Sequence, residues 1–134
     1  MTFKELNNRL EECIKQSYEE GISMVQAERL AGEFLYAQMK VSDELKKADL
    51  DSRMRKSGVK AIRASVYLDE CQKSDKKPTE STLASLIDSN STVLSEQTDL
   101  DEAEVSRDEL RRILDVYTNA HIHFRAIAKG GFGS

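Results

Sequence analysis

Apolar residues recur at alternating spacings of three and four along most of the chain, the period of amphipathic helices and not of strands. Phe3, Leu6, Leu10, Cys13 or Ile14, and Tyr18 form a first such stripe, predicting a peripheral helix over residues 3–19 that stops at Gly21. Ser23 is a capable N-cap for the next helix, whose row Leu30, Phe34, Val41, Leu45 and Ala48 resumes after a polar interval as Val59 and Val66, reaching about Cys71. Gly58 lies inside this row and costs roughly 1 kcal/mol relative to alanine, yet the pattern on either side favours one continuous helix. Pro78 ends it, because the residue before a proline avoids helical geometry, and Thr79 is placed to cap a short helix carrying Leu83, Leu86 and Ile87. From Ser89 to Thr98 polar residues outnumber apolar ones, which predicts a connecting segment anchored by Val93 and Leu94. The last helix, from about Leu100 to Lys129, has the sharpest period: Ala103, Ser106, Leu110, Ile113, Tyr117, Ala120, Phe124 and Ile127. Acids crowd its first turns and Gly130 follows its end, as the helix dipole and C-cap preferences require.

Composition agrees with that reading. One proline in 134 residues and 33% charged residues point to an all-α protein. The expected organisation is a single helical domain over residues 1–129 with a flexible glycine-rich tail, GGFGS, over 130–134. Neither an 18-residue apolar run nor a charged segment followed by a short apolar one is present, so the expectation is a soluble protein of the cytoplasm. Cys13 and Cys71 are far apart and outside any C-x-x-C spacing, which fits reduced, buried thiols.

Charge changes the picture most. From Lys46 to Lys77 ten basic residues face five acids, a local balance of +5, whereas residues 1–45 sum to −4 and residues 78–134 to −5. Lys46, Arg53, Lys56, Lys60 and Arg63 also fall within an arc of about 100° on a helix, with Arg55 in the same stretch. Such a stripe matches a row of phosphates, whose neutralisation releases counterions and gives binding independent of base sequence. A solvated helix face accounts for the same pattern. Tyr67 follows Arg63 by four residues, where its ring would either stack on an unpaired base or close a helix–helix contact.

Other candidate chemistry is weak. His121 and His123, two apart on a helix, point about 200° apart and do not close on one metal ion. The tail glycines lack the lysine and following helix of a phosphate-binding loop. No motif selects a pair of carboxylates, and neither cysteine has the surroundings of a nucleophile, so no catalytic residue, metal or cofactor is expected. The terminal seam of Leu110, Ile113, Tyr117, Phe124 and Ile127 has the spacing of a helix–helix contact, and some of it is expected to be buried between subunits of a homo-oligomer.

The order of these pieces supports a resemblance. A long helix ending in KKADLDSRMRKSGVKAIRASVYLDE, then KKPTEST, a short helix, a polar connector and an amphipathic terminal helix resembles the small recombination mediators of T4-like phages, the UvsY type. The likeness covers most of the chain from about Met24 and rests on element order and the placement of the basic helix. It implies an all-α protein that assembles into a ring, binds single-stranded DNA and helps a RecA-like recombinase displace the single-strand-binding protein, in the cytoplasm of a host cell. Lys46, Arg53, Arg55, Lys56, Lys60 and Arg63 would then be the DNA-contacting positions and the terminal seam the assembly surface. The acidic last half and the longer first helix depart from that pattern. The alternative from a different class is a helical structural or adaptor protein whose basic helix docks an acidic protein partner.

Overall fold

The computed structural model describes residues 3–73 and 75–130; the side chain of Phe3 and the tail at 131–134 lie outside them. Among the described residues there are helices and no strand, in the order α1 (Phe3–Glu19), α2 (Met24–Gln72), α3 (Glu80–Ser89) and α4 (Ser91–Ala128). The protein is all-α. The helix ends follow from local chemistry. Gly21 adopts φ +76°, the left-handed conformation that lets the chain turn out of α1. Ser23 and Gln26 then form a reciprocal cap: the Gln26 amide N–H donates to Ser23 Oγ at 3.2 Å and the Ser23 N–H donates to Gln26 Oε1 at 3.2 Å. Thr79 caps α3 by accepting from the Thr82 N–H, again at 3.2 Å.

Residues 89–98 are not a connector. Asn90 alone separates α3 from α4, and its Oδ1 accepts from the N–H groups of Thr92 at 3.0 Å and Val93 at 3.1 Å. Its own N–H donates to the Ile87 carbonyl, so one residue closes one helix and opens the next. Of the polar residues after it, Ser91, Thr92, Ser95, Thr98 and Asp99 face solvent and Glu96 and Gln97 are half-buried, while Val93 and Leu100, seven apart on one face, are buried. Few apolar residues suffice there because only one narrow stripe is covered. At the other end Gly130, also at φ +76°, donates to the Ile127 carbonyl.

The chain divides into two compact units. The first comprises Met1–Asp43 with Arg111–Ser134, and the second Glu44–Leu110. The core of the first unit is aromatic: Phe34 of α2 stacks on Phe124 of α4 at 5.5 Å between centroids and meets Tyr117 edge-on at 5.7 Å. Leu10 of α1 is fully buried, and Tyr18 stacks on His123 at 5.2 Å. His121 and His123 are both half-buried. His121 Nδ1 lies 2.8 Å from the Ala31 carbonyl, and His123 packs between Tyr18 and Phe124, so each ring has a structural contact. In the second unit Val66 of α2, Ile87 of α3 and Val93 of α4 form a cluster on which Ile62 and Tyr67 pack. Arg107 of α4 adds a polar tie, reaching Ser52 Oγ at 3.4 Å and Asp49 at 4.0 Å. The two cysteines are free and half-buried, not fully buried; the Cys13 thiol is pushed above its usual range by that burial, with Arg9 opposing.

Two predictions concern this fold. Helix α2 passes through Gly58 without a break, and a Cβ there would meet no atom within 4 Å. Gly58→Ala should therefore raise the unfolding free energy by about 0.5–1 kcal/mol in a urea titration; a loss of stability would place a constraint at that turn. Tyr117 is 1% exposed and its hydroxyl has no hydrogen-bond partner among the described residues. Burial, with a smaller contribution from Glu11, holds its pKa above the ordinary 10.0. Above that ordinary value the unfolded chain loses the phenol proton while the folded chain keeps it, so this residue makes stability fall as pH rises toward the folded pKa. Tyr117→Phe should be stabilising by about 1 kcal/mol at neutral pH, since it removes an unsatisfied buried group, and should lessen the alkaline fall measured by denaturation.

Candidate nucleic-acid interface

In the second unit α2 turns a different face to each of three environments. Ser52, Val59 and Val66 are buried. The basic residues lie beside that stripe and divide into two sets according to how close they come to the acids of α3 and α4. Arg63, at one edge of the buried stripe, pairs with Asp88 of α3 at 2.9 Å. Arg55, at the other edge, pairs with Asp51 at 3.1 Å and approaches Asp99 of α4 at 3.9 Å, and these carboxylates, Asp51 first, raise its pKa. Lys46, Arg53, Lys56 and Lys60 sit further round the helix, all exposed, and none has an ion-pair partner among the described residues.

The spacing of those four residues sets what they can bind. They span fourteen residue steps, about 21 Å at 1.5 Å per residue, along a single face. Each is a flexible stem with a charged end in water, so none loses hydration until a ligand arrives. A row of this kind neutralises an extended polyanion better than a small one. It offers no shaped pocket, and no group of three or more potential metal ligands occurs among the described residues.

Tyr67 is placed differently from the free cations. Its ring packs on the Val66, Ile87 and Val93 cluster, its hydroxyl lies 3.5 Å from Glu80 Oε1, and the Lys77 ammonium stands 5.9 Å from its centroid. Tyr67 and Glu80 together hold the Lys77 pKa above its ordinary value. The ring thus belongs mainly to the junction of α2 and α3. The α4 seam has a partner within the chain: Tyr117 and Phe124 are fully covered in the first unit, and Leu110, Ile113 and Ile127 are half-buried. A second apolar row, absent from the expectations, is exposed on α2. Leu50, Met54 and Leu68 are 60%, 66% and 58% exposed and, with Ser57, Ala61 and Ala64, keep the spacing 4-3-4-3-4. That spacing was legible in the sequence, but the stronger row of Val59 and Val66 on the other side of the helix masked it. No described helix is long and apolar enough to cross a membrane.

No family model, curated protein or solved structure matches the chain.

The pairing of Arg63 has a measurable consequence. Both partners are more than a third exposed, so the pair contributes at most about 1 kcal/mol to stability. Asp88→Asn should leave stability nearly unchanged while releasing one more cation onto the basic face. For a polyanion bound there, the log–log salt slope should steepen by about 0.7; an unchanged slope would place Arg63 outside the binding face.

Proposed function

We propose that the protein binds single-stranded DNA without base preference through the exposed basic face of α2, and acts as an accessory of recombination that assists loading of a RecA-like recombinase. The observation that supports binding is the separation of the cations: Arg55 and Arg63 are engaged by acids of the same unit, whereas Lys46, Arg53, Lys56 and Lys60 are left to solvent on one face. A chain of net charge −4 that keeps four unpaired cations in a row concentrates its positive potential where a strand of phosphates can follow it. The mediator role, with its recombinase and its single-strand-binding protein, comes from the resemblance to the UvsY-type proteins. No cofactor and no catalytic step enter this reading.

The exposed row of Leu50, Met54 and Leu68 favours a second component of the same reading, self-association. Three exposed large apolar residues, with the small Ser57, Ala61 and Ala64 between them at alternating spacings of four and three, make a face that another helix can approach closely. It equally favours the alternative class, a helical adaptor that docks an acidic protein by combining this row with the adjoining cations. The two readings differ in salt dependence and in ligand.

Neutralising Lys46, Arg53, Lys56 and Lys60 together to glutamine should reduce the magnitude of the salt slope for an oligothymidylate by about 2.8, from about 0.7 per phosphate contact on single strands. Circular dichroism should show the variant folded, because all four side chains are exposed. A parent that binds no oligothymidylate at low salt, or a variant with the parent's slope, would exclude the DNA reading.

A further inference from the structure

A second surface for the strand lies in the first unit, where α1 and α2 enclose an open groove of about 640 Å³ lined by Leu6, Arg9, Arg29, Gly32, Glu33, Tyr36 and Lys40. Its charge is unbalanced. Glu33, the one carboxylate in the lining, is taken by Arg9, whose Nη2 donates to both of its oxygens at 2.9 and 3.1 Å. Arg29 and Lys40 have no ion-pair partner among the described residues. Tyr36 lies between them and is 60% exposed, with the Lys40 ammonium 5.3 Å from its ring centroid. Arg29, Tyr36 and Lys40 are seven and four residues apart and so share one side of α2. Gly32, one turn before Tyr36, leaves the space beside the ring open: a Cβ at that position would meet nothing within 4 Å.

An exposed ring flanked along the helix by two unpaired cations is the combination that holds single-stranded nucleic acid, a base on the aromatic face and phosphates on the charges. The distance between Arg29 and Lys40, eleven steps or about 16 Å, is too long for one small anion. It suits roughly four or five nucleotides of a stacked strand at about 3.4 Å each. We infer that Tyr36 is a base-stacking residue and that Arg29 and Lys40 are phosphate contacts, forming a single-strand subsite in the α1–α2 groove. This inference rests on the single-stranded DNA reading of the protein and adds to it the residue that engages bases. Tyr67, nearer the basic face in sequence, has its ring committed to the α2–α3 junction, whereas Tyr36 does not.

The chain contains no tryptophan, so an indole introduced at position 36 reports on that groove alone. Tyr36→Trp, titrated with oligothymidylate at low salt, should show quenching that saturates with binding. Tyr18→Trp, a substitution at a 73% exposed residue of the same unit, should show little. Tyr36→Ala should weaken binding by roughly 5- to 150-fold, the equivalent of about 1–3 kcal/mol, and Arg29→Gln with Lys40→Gln should lower the salt slope by about 1.4. A parent that binds, combined with an unquenched indole at 36 and parental affinity in Tyr36→Ala, would overturn the subsite and leave the DNA reading standing. Equal quenching at 18 and 36 would also overturn it, as would quenching by a polyglutamate peptide in place of the oligonucleotide, which would make the groove a peptide site. Failure of the parent to bind any single strand would overturn both the subsite and the reading beneath it.

Discussion

The contact of Val66 with Ile87 and Val93 sets the rotation of α2 within the second unit, and the fate of each basic residue follows from it. Once Ser52, Val59 and Val66 face inward, Arg55 and Arg63 stand at the two edges of the buried stripe, within reach of Asp99 on α4 and Asp88 on α3. Lys46, Arg53, Lys56 and Lys60 are carried beyond that reach. A rotation of α2 by a quarter turn would bury cations without partners, at a cost of several kcal/mol each, so the apolar cluster and the charge pattern enforce one another. The basic face is thus a consequence of packing as much as of composition. Exposed pairs such as Arg63 with Asp88 add little to stability; their effect is to remove those two arginines from the set that solvent and ligands meet.

The first unit solves a different problem with the same long helices. Phe34, Tyr117 and Phe124 bury a large aromatic area between α2 and α4, and α1 covers one side through Leu10 and the Arg9–Glu33 pair. That pair both fastens α1 to α2 and cancels the carboxylate that would otherwise neutralise Arg29 and Lys40. A local separation of charge therefore recurs in each unit: Glu33 is taken by Arg9 and Asp88 by Arg63, while neighbouring cations of α2 are left to solvent. With a net charge of −4, such segregation gives local positive potential without general attraction to polyanions.

Much of this was legible in the sequence, and the exceptions have physical causes. Gly21, Ser23, Thr79 and the period of the apolar rows mark the ends of α1, the start of α2 and the start of α3, because caps and periodicity are local properties. The continuity of α2 through Gly58 was favoured by the apolar rows on either side but not fixed by them, since a break between Asp49 and Gly58 fits the same polar interval. The start of α4 was not recognised, since Asn90 serves as the end of one helix and the cap of the next, and a polar count over residues 89–98 conceals a stripe with only Val93 and Leu100 in it. The pairing of Arg63 was not readable, because Asp88 lies 25 residues away, whereas Arg55 has Asp51 four residues before it on the same helix, a local spacing that the sequence does show. Tyr67 is near the basic run in sequence, but its ring packs at the α2–α3 junction, a contact across 20 residues or more that local spacing does not show. Tyr36 has cations seven residues before it and four after it, a helical spacing of charge around an exposed ring that is also present in the sequence.

The central claim is that the four unpaired cations of α2 meet the strand. Lysine footprinting tests it most directly: trace acetylation of the intact protein with and without saturating oligothymidylate, read out residue by residue by mass spectrometry. The account predicts strong protection of Lys46, Lys56 and Lys60, with Lys15 and Lys129, outside both proposed surfaces, modified at the same rate in either condition. Unchanged modification of Lys46, Lys56 and Lys60 at full occupancy would contradict it.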